Sequence, residues 1–289
     1  MNLKPKALGL LVAACLIGVS QPYTSANATP FSFSTGDPDG RMAAATRPGS
    51  GGSFEIETGD DFILTNPTTI TSATFTGLVP AGASVSNVVV EVYRVFPLDS
   101  DTNRTPNVPT RANSPSDVAF DSRSAPSSLI FQTALVSTSF LALNSVLPGG
   151  IHAFPNQTTM GNGPVRGNEV QVSVTFTKPL NLPADHYFFV PQVTLDNGSF
   201  LWLSAPRPIT GGTGPFTGDL QAWTRDQFLD PDWLRIGTDI VGGTTPPTFA
   251  MRFSLTGVAT PIPAALPLFA TGLGALGLLG WRRKRRLAI

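Results

Sequence analysis

The sequence predicts an all-β body, folded as an antiparallel β-sandwich of jelly-roll type. Its 19 Phe residues and many Val and Thr residues favour strands, and 28 Gly and 27 Pro supply turns between them. Glu and Lys, which stabilise helices when spaced four residues apart, never form such runs in the body. Short segments instead alternate apolar and polar residues. Two packed sheets are the architecture that such short strands favour.

The clearest strand covers residues 170–176, where Val170, Val172, Val174 and Phe176 alternate with polar residues. This spacing places four side chains on one buried face. Further strands are predicted at residues 54–57, 60–64, 70–78, 88–96, 187–193, 200–203 and 249–255. Residues 97–128 contain five prolines among Asp, Asn and Ser, and we predict a long loop there.

The first 28 residues have the pattern of a signal peptide. Lys4 and Lys6 precede an apolar run over residues 7–19, and Ala26 and Ala28 are small residues at the two positions that a signal peptidase reads. Cleavage is therefore predicted before Thr29. The chain is expected to be exported.

Cys15 is the only cysteine, and it lies within the apolar run of the signal peptide. The preceding residues are close to a lipobox, so lipidation of Cys15 is the alternative to plain cleavage after Ala28. With cleavage after Ala28 the mature protein has no cysteine. Disulfides, thiolate catalysis and cysteine-bound zinc are then excluded.

The C-terminal segment is predicted to enter a membrane. Residues 264–281 carry no charge and would span about 27 Å as a helix, at ~1.5 Å per residue. Five cations follow directly, a pattern typical of a cytoplasmic stop. They are Arg282, Arg283, Lys284, Arg285 and Arg286.

The order of a Pro-x-Pro motif, a hydrophobic helix and an Arg-rich cluster resembles the PEP-CTERM family of sorting signals. The motif here is Pro261, Ile262, Pro263 and Ala264, with Ile262 where the family usually has Glu. It is more similar to the Val-Pro-Leu-Pro-Ala subgroup, from which Thr260 and Ile262 depart. The resemblance implies recognition by an exosortase, a membrane-embedded cysteine transpeptidase. It also implies removal of the tail and delivery to the surface or exopolysaccharide matrix of a Gram-negative bacterium. A single-pass anchor that stays attached is the alternative.

These signals divide the chain into a signal peptide (1–28), a β-sandwich domain (29–257) and a sorting tail (258–289). The body contains 12 basic and 19 acidic residues, which gives it a formal net charge of −7. Such acidity argues against a nucleic-acid partner. Divalent cations and neutral glycans fit the charge better.

Catalytic motifs are sparse. The two histidines, His152 and His186, have no spacing typical of a metal site, and no Ser lies in a nucleophile elbow. Glu55 and Glu57 are two residues apart on a predicted strand and resemble part of the catalytic strand of a jelly-roll glycoside hydrolase family. A glycoside-active enzyme using these two carboxylates is therefore the alternative to a non-enzymatic protein. That hypothesis requires both carboxylates to line an open groove beside aromatic rings.

Two binding sites are suggested by composition. Trp223 and Trp233 lie among acids and amides, and with Tyr187 they are candidates for an exposed platform on which sugars stack. Asp99, Asp101 and Asn103 alternate like the start of a calcium-binding loop, which makes Ca²⁺ a candidate ligand. No other cofactor is expected.

Together these observations predict an exported, non-enzymatic protein of the cell surface or extracellular matrix. Its role would be structural, adhesive or glycan-binding, in exopolysaccharide or biofilm. The expected partners are an exosortase-type enzyme, the inner membrane during transit, and exopolysaccharide.

Overall fold

The computed structural model describes residues 28–50, 52–101, 112–152, 158–209, 218–229 and 232–260. Most of the predicted sorting tail and nearly all of the predicted signal peptide lie outside these ranges. The undescribed residues include Ala26, Pro261 to Ala264, and the basic cluster at 282–286. Within the described ranges, no helix is both long and apolar enough to cross a membrane.

The described residues confirm the all-β prediction, since strands dominate them. Their helical elements are a 3-10 turn at Pro148–Gly150 and a π-helical turn at Ile236–Val241. The strands are β1 (Thr29–Ser34), β2 (Ala43–Ala45), β3 (Ile56–Leu64), β4 (Thr68–Val79), β5 (Val85–Arg94), β6 (Asp121–Ser124), β7 (Ile130–Ala142), β8 (Ser145–Val146), β9 (Val165–Leu182), β10 (Asp185–Leu195), β11 (Leu201–Ala205), β12 (Trp223–Asp226), β13 (Leu234–Arg235), β14 (Ala250–Met251) and β15 (Phe253–Ala259).

These strands form two sheets. The larger sheet has nine strands in the order β1-β15-β4-β11-β2-β8, with β9 on β4, β7 on β9 and β14 on β11. The smaller sheet has six strands in the order β13-β12-β3-β10-β5-β6. All pairings are antiparallel except that of β2 with β8. β15 continues two residues past the domain boundary predicted at residue 257.

Side chains from both sheets share one apolar core. Phe189 of the smaller sheet stacks on Phe253 of the larger one, with ring centroids 5.0 Å apart, and also contacts Phe75 at 6.2 Å. The predicted stripe on β9 points into this core, where Val172, Val174 and Phe176 are buried. Burial of this apolar surface is the main stabilising contribution to the fold.

The smaller sheet is also covered on its opposite face, which we call the outer face. Residues 186–193 of β10 are all buried, so both faces of this strand are shielded from solvent. The cover is a second apolar cluster, formed by Tyr93, Val95, Phe188, Val190, Leu220, Trp223 and Trp233. Polar side chains on the outer face are therefore buried rather than solvated, which sets the chemistry described below.

Candidate functional site

The central strand β3 carries acidic residues to both faces of the smaller sheet. Successive strand residues point to opposite sides, so Ile56 and Phe62 enter the core between the sheets while Glu57 and Asp61 lie on the outer face. Asp60 belongs to the inner set, where its Oδ2 accepts the Met251 N–H at 2.7 Å. Burial raises the pKa of Asp60 well above its usual value, with the neighbouring Asp61 adding to the effect.

Glu57 is held by a buried network with Tyr93 and Arg225. Arg225 Nε donates to Glu57 Oε2, and the Tyr93 hydroxyl donates to Glu57 Oε1. Arg225 Nη2 reaches Tyr93 Oη at 3.1 Å, and its guanidinium lies 4.4 Å from the centroid of the Trp233 ring. Trp233 in turn donates its indole N–H to the Ser116 carbonyl at 3.1 Å. The network fixes the outer cover to the sheet.

Glu91 completes this network as a protonated acid. Its Oε2 lies 3.0 Å from Tyr93 Oη. Tyr93 has one hydroxyl hydrogen and donates it to Glu57. The contact between Glu91 and the Tyr93 oxygen is therefore a hydrogen bond only if Glu91 carries a proton and donates it. Burial raises the pKa of Glu91 to about 8, and the nearby charge of Glu57 raises it further in the same direction.

A second polar cluster lies on the outer face around Asp61. Asp61 Oδ2 is 2.6 Å from His186 Nε2, and Asp61 Oδ1 accepts the Leu220 N–H at 3.0 Å. Asp219 Oδ2 pairs with Arg207 Nε at 3.0 Å. Burial raises the pKa of Asp219 to about 7, with the charge of Asp61 as the next cause.

Beside this cluster lies a cleft of about 250 Å³, which we call the Asp219 cleft. Asp219, Gln221, Trp223 and Arg235 are among the residues of its wall. Trp223 Nε1 is buried and has no hydrogen-bond partner among the described residues. A side-chain hydrogen bond with Asp61 also contributes to the raised pKa of Asp219. Arg235 is already paired with Asp239, through Nη2 to Oδ1 at 2.7 Å and Nε to Oδ2 at 2.9 Å.

The exposed aromatic platform predicted from the sequence is not formed. Trp223 and Trp233 are each 2% exposed and Tyr187 is 0% exposed. Tyr187 stacks on Phe62 in the core between the sheets at 5.6 Å, whereas both tryptophans belong to the outer cover. The prediction was wrong because both indole rings pack in the buried apolar cluster of the outer face rather than facing solvent. Of the three rings, only Trp223 lines the Asp219 cleft.

The pair Glu55 and Glu57 does not meet the condition set for a glycosidase. Glu57 is 4% exposed and lies beneath Arg225 and Tyr93, so it does not line an open groove. Glu55 precedes β3 and accepts a hydrogen bond from Gln192 Nε2 at 2.9 Å. The two carboxylates therefore have different surroundings, and the geometry does not favour a shared catalytic role.

Asp99 and Asp101, the two calcium candidates within the described ranges, contact other protein groups. Asp99 faces Arg94 at 3.8 Å, and the Asp101 N–H donates to Asp117 Oδ2 at 2.8 Å. Asn103 lies outside the described ranges. Within those ranges, no group of three or more His, Cys, Asp or Glu side chains is arranged to hold a metal ion.

Sequence reasoning missed the polar pairs of the outer face. Glu57 and Arg225 are 168 residues apart in the chain, and Asp61 and His186 are 125 apart, so no local spacing links them. A usable signal was the run Glu57 to Asp61, which holds three acids in a strand that pairs with neighbours on both sides.

Comparison of the chain with protein-family models, curated proteins and solved structures found no match.

Proposed function

We propose that the protein is an exported structural component of the cell surface or extracellular matrix, sorted by an exosortase-type enzyme, with a body that is a β-sandwich of jelly-roll type. The observation that carries this proposal is the position of the predicted processing sites relative to the fold. β1 begins at Thr29, the predicted first residue of the mature chain, and β15 ends at Ala259, just before the Pro261 motif.

The two ends of the body also meet in space. β1 and β15 are antiparallel neighbours at one edge of the larger sheet, and Thr29 pairs with Ala259. A signal peptide before Thr29 and a membrane helix after Ala259 would therefore leave the body from the same point. This arrangement supports attachment of the folded body to the membrane at one end until the tail is removed.

A structural role is supported by β7. It pairs only with β9 among the described strands, which leaves the backbone groups along its other side as a sheet edge. No Lys, Arg, Asp or Glu occurs between Arg123 and Arg166, and Ile130 and Leu135 are 53% and 59% exposed. Edge strands usually carry charges that prevent pairing with other chains.

The uncharged edge suits a second copy of this chain. The body is acidic overall, so two copies repel each other when most of their surfaces approach. Two β7 strands carry no charged residues and can approach without this repulsion. Residues 130–135 pair regularly with β9, and the pairing becomes irregular beyond Leu135. Antiparallel pairing of two such segments is self-complementary, which is the arrangement of a two-fold dimer.

Leu135→Lys tests this role. Sedimentation velocity of residues 29–260 should show concentration-dependent association of the unmodified body, and the variant should stay monomeric because a lysine on an edge strand opposes pairing of that edge with another chain. Val118→Lys is the matched control, since Val118 is 63% exposed and lies outside every strand. A body that is monomeric at all concentrations, or equal loss of association in both variants, would contradict the proposed structural role.

A further inference from the structure

We propose that an apolar groove at the end of β15 holds the Pro261 motif of this same chain, with the Ile262 side chain against its wall. We call it the Thr260 groove, and its wall includes Pro67, Thr69, Asn181, Pro183 and Thr260. The reading of residues 261–264 as a sorting motif rests on the proposed function. The groove thereby fixes where the motif stands relative to the folded body.

The chain reaches the motif directly from the groove. The Thr260 N–H donates to the Pro67 carbonyl at 2.8 Å, so the last described residue is fixed to the turn that leads into β4. An extended chain gains at most ~3.6 Å per residue, so the Cα atom of Ile262 lies within about 7 Å of that of Thr260. A segment tethered this closely has a far higher effective concentration at the groove than a separate chain.

The register of the sheet indicates which way Ile262 points. Thr69 of β4 pairs with Val258 on one side and with Asn181 on the other, so these three residues share one face of the larger sheet. Thr260 follows Val258 by two residues and belongs to the same face. Thr260 and Ile262 each precede a proline, which disfavours helix and keeps this stretch extended. Alternation then places Ile262 on the face that carries Thr69 and Asn181, both of which line the groove.

The wall of the groove suits an apolar segment. Its exposed surface is mainly apolar, and the Thr69 hydroxyl is already used, since it donates to Asn181 Oδ1 at 2.8 Å. Pro261 and Pro263 have no backbone N–H, so the motif cannot continue β15 as a regular strand and offers mainly carbon surface. A groove of about 270 Å³ is smaller than the roughly 300–1,000 Å³ of most ligand pockets, which favours a short stretch of chain as its occupant.

The accessibility of a thiol at position 262 tests this docking. The full chain with Cys15→Ser and Ile262→Cys, in detergent, has a single thiol, and mass spectrometry follows its modification by N-ethylmaleimide. Pro183→Glu and Asn181→Glu each place a carboxylate at an exposed position of the wall, which opposes burial of an apolar side chain there. We expect either change to speed the modification about tenfold, equivalent to ~1.4 kcal/mol of docking free energy.

Ala81→Glu is the matched control. Ala81 is exposed in the turn at the other end of β4, so this change should leave the modification rate as it is in the unmodified groove. Thermal melts of the two wall variants and the control show whether each body stays folded, and two wall variants are used so that a folding defect in one does not decide the result.

Equal modification rates in the wall variants and the control would overturn the inference, because the detergent or nothing at all would then shield position 262. A rate that falls as the protein concentration rises would also overturn it, because a second copy would then fill the groove. Neither failure bears on the proposed sorting, which is read from the mature mass. Conversely, a retained tail would not alter the thiol rates.

Discussion

Raising the pH from about 5 to 9 is expected to lower the free energy of unfolding by several kcal/mol. The folded-state pKa of Glu91 is about 8 against an ordinary value of 4.5, and that of Asp219 is about 7 against 3.8. At a pH between its ordinary and its folded-state pKa, each acid keeps its proton in the folded chain but has lost it in the unfolded chain. Stability therefore falls as pH rises through this window, by up to about 1.4 kcal/mol per pH unit for each group.

Thermal melts across this pH range provide the measurement, with Glu91→Gln as the matched variant. Gln resembles the protonated acid in shape and carries no charge, so the variant should melt close to the unmodified chain at pH 5 and above it at pH 9. The pH dependence of the melting temperature that remains in this variant is assigned to Asp219 and Asp60, whose pKa values are also raised. A melting temperature that is flat or rises between pH 5 and 9 is incompatible with these protonated acids.

Arg225→Met is expected to cost about 3–5 kcal/mol, because it leaves Glu57 as a buried carboxylate without its cation. The side chains of Arg225 and Glu57 are only 5% and 6% exposed, so water cannot replace the lost partner. Adding Glu57→Gln to Arg225→Met should recover much of this loss, since the second change removes the uncompensated charge.

Urea unfolding of the single and double variants measures this coupling. Arg94→Met is the control, because Arg94 also pairs with acids, but its side chain is 26% exposed and those of its partners Asp99 and Asp185 are 33% and 18% exposed. Its loss should cost clearly less than that of Arg225. A cost below about 1 kcal/mol for Arg225→Met, or no recovery in the double variant, would show that the Glu57 network does not hold the outer cover in place.

Two kinds of strand could be predicted from the sequence. The Val stripe of β9 lies where alternation placed it, and β10, which is buried on both faces, lies where a run of aromatic and β-branched residues placed it. β7 was missed because most of its residues are exposed on both faces, so it has no alternation to read. β12 was missed because its four residues include Arg225 and Asp226, two charged side chains that are nevertheless buried.

The site could not be predicted because its pairs are distant in the chain. The acids near Trp223 were expected to bind sugar hydroxyls, yet Asp219 is paired with Arg207. Asp226 likewise accepts from the backbone N–H groups of Phe228 and Leu229 in a turn. Because the ion pair and the backbone hydrogen bonds satisfy these acids, the tryptophans beside them can be buried in an apolar cluster. The burial of a carboxylate on the smaller sheet depends on the residues that cover the outer face. The residue pattern of a single strand cannot predict that cover.

The most direct test of the proposed sorting is the intact mass of the mature protein recovered from the surface of the cells that produce it. We predict a chain that begins at Thr29 and ends near Pro261. Both processing sites lie just outside β1 and β15, which are paired at one edge of the larger sheet. A mass that retains Arg282 to Arg286 would show a permanent anchor, and a lipidated chain beginning at Cys15 would show a different route of export. Either mass would contradict the account.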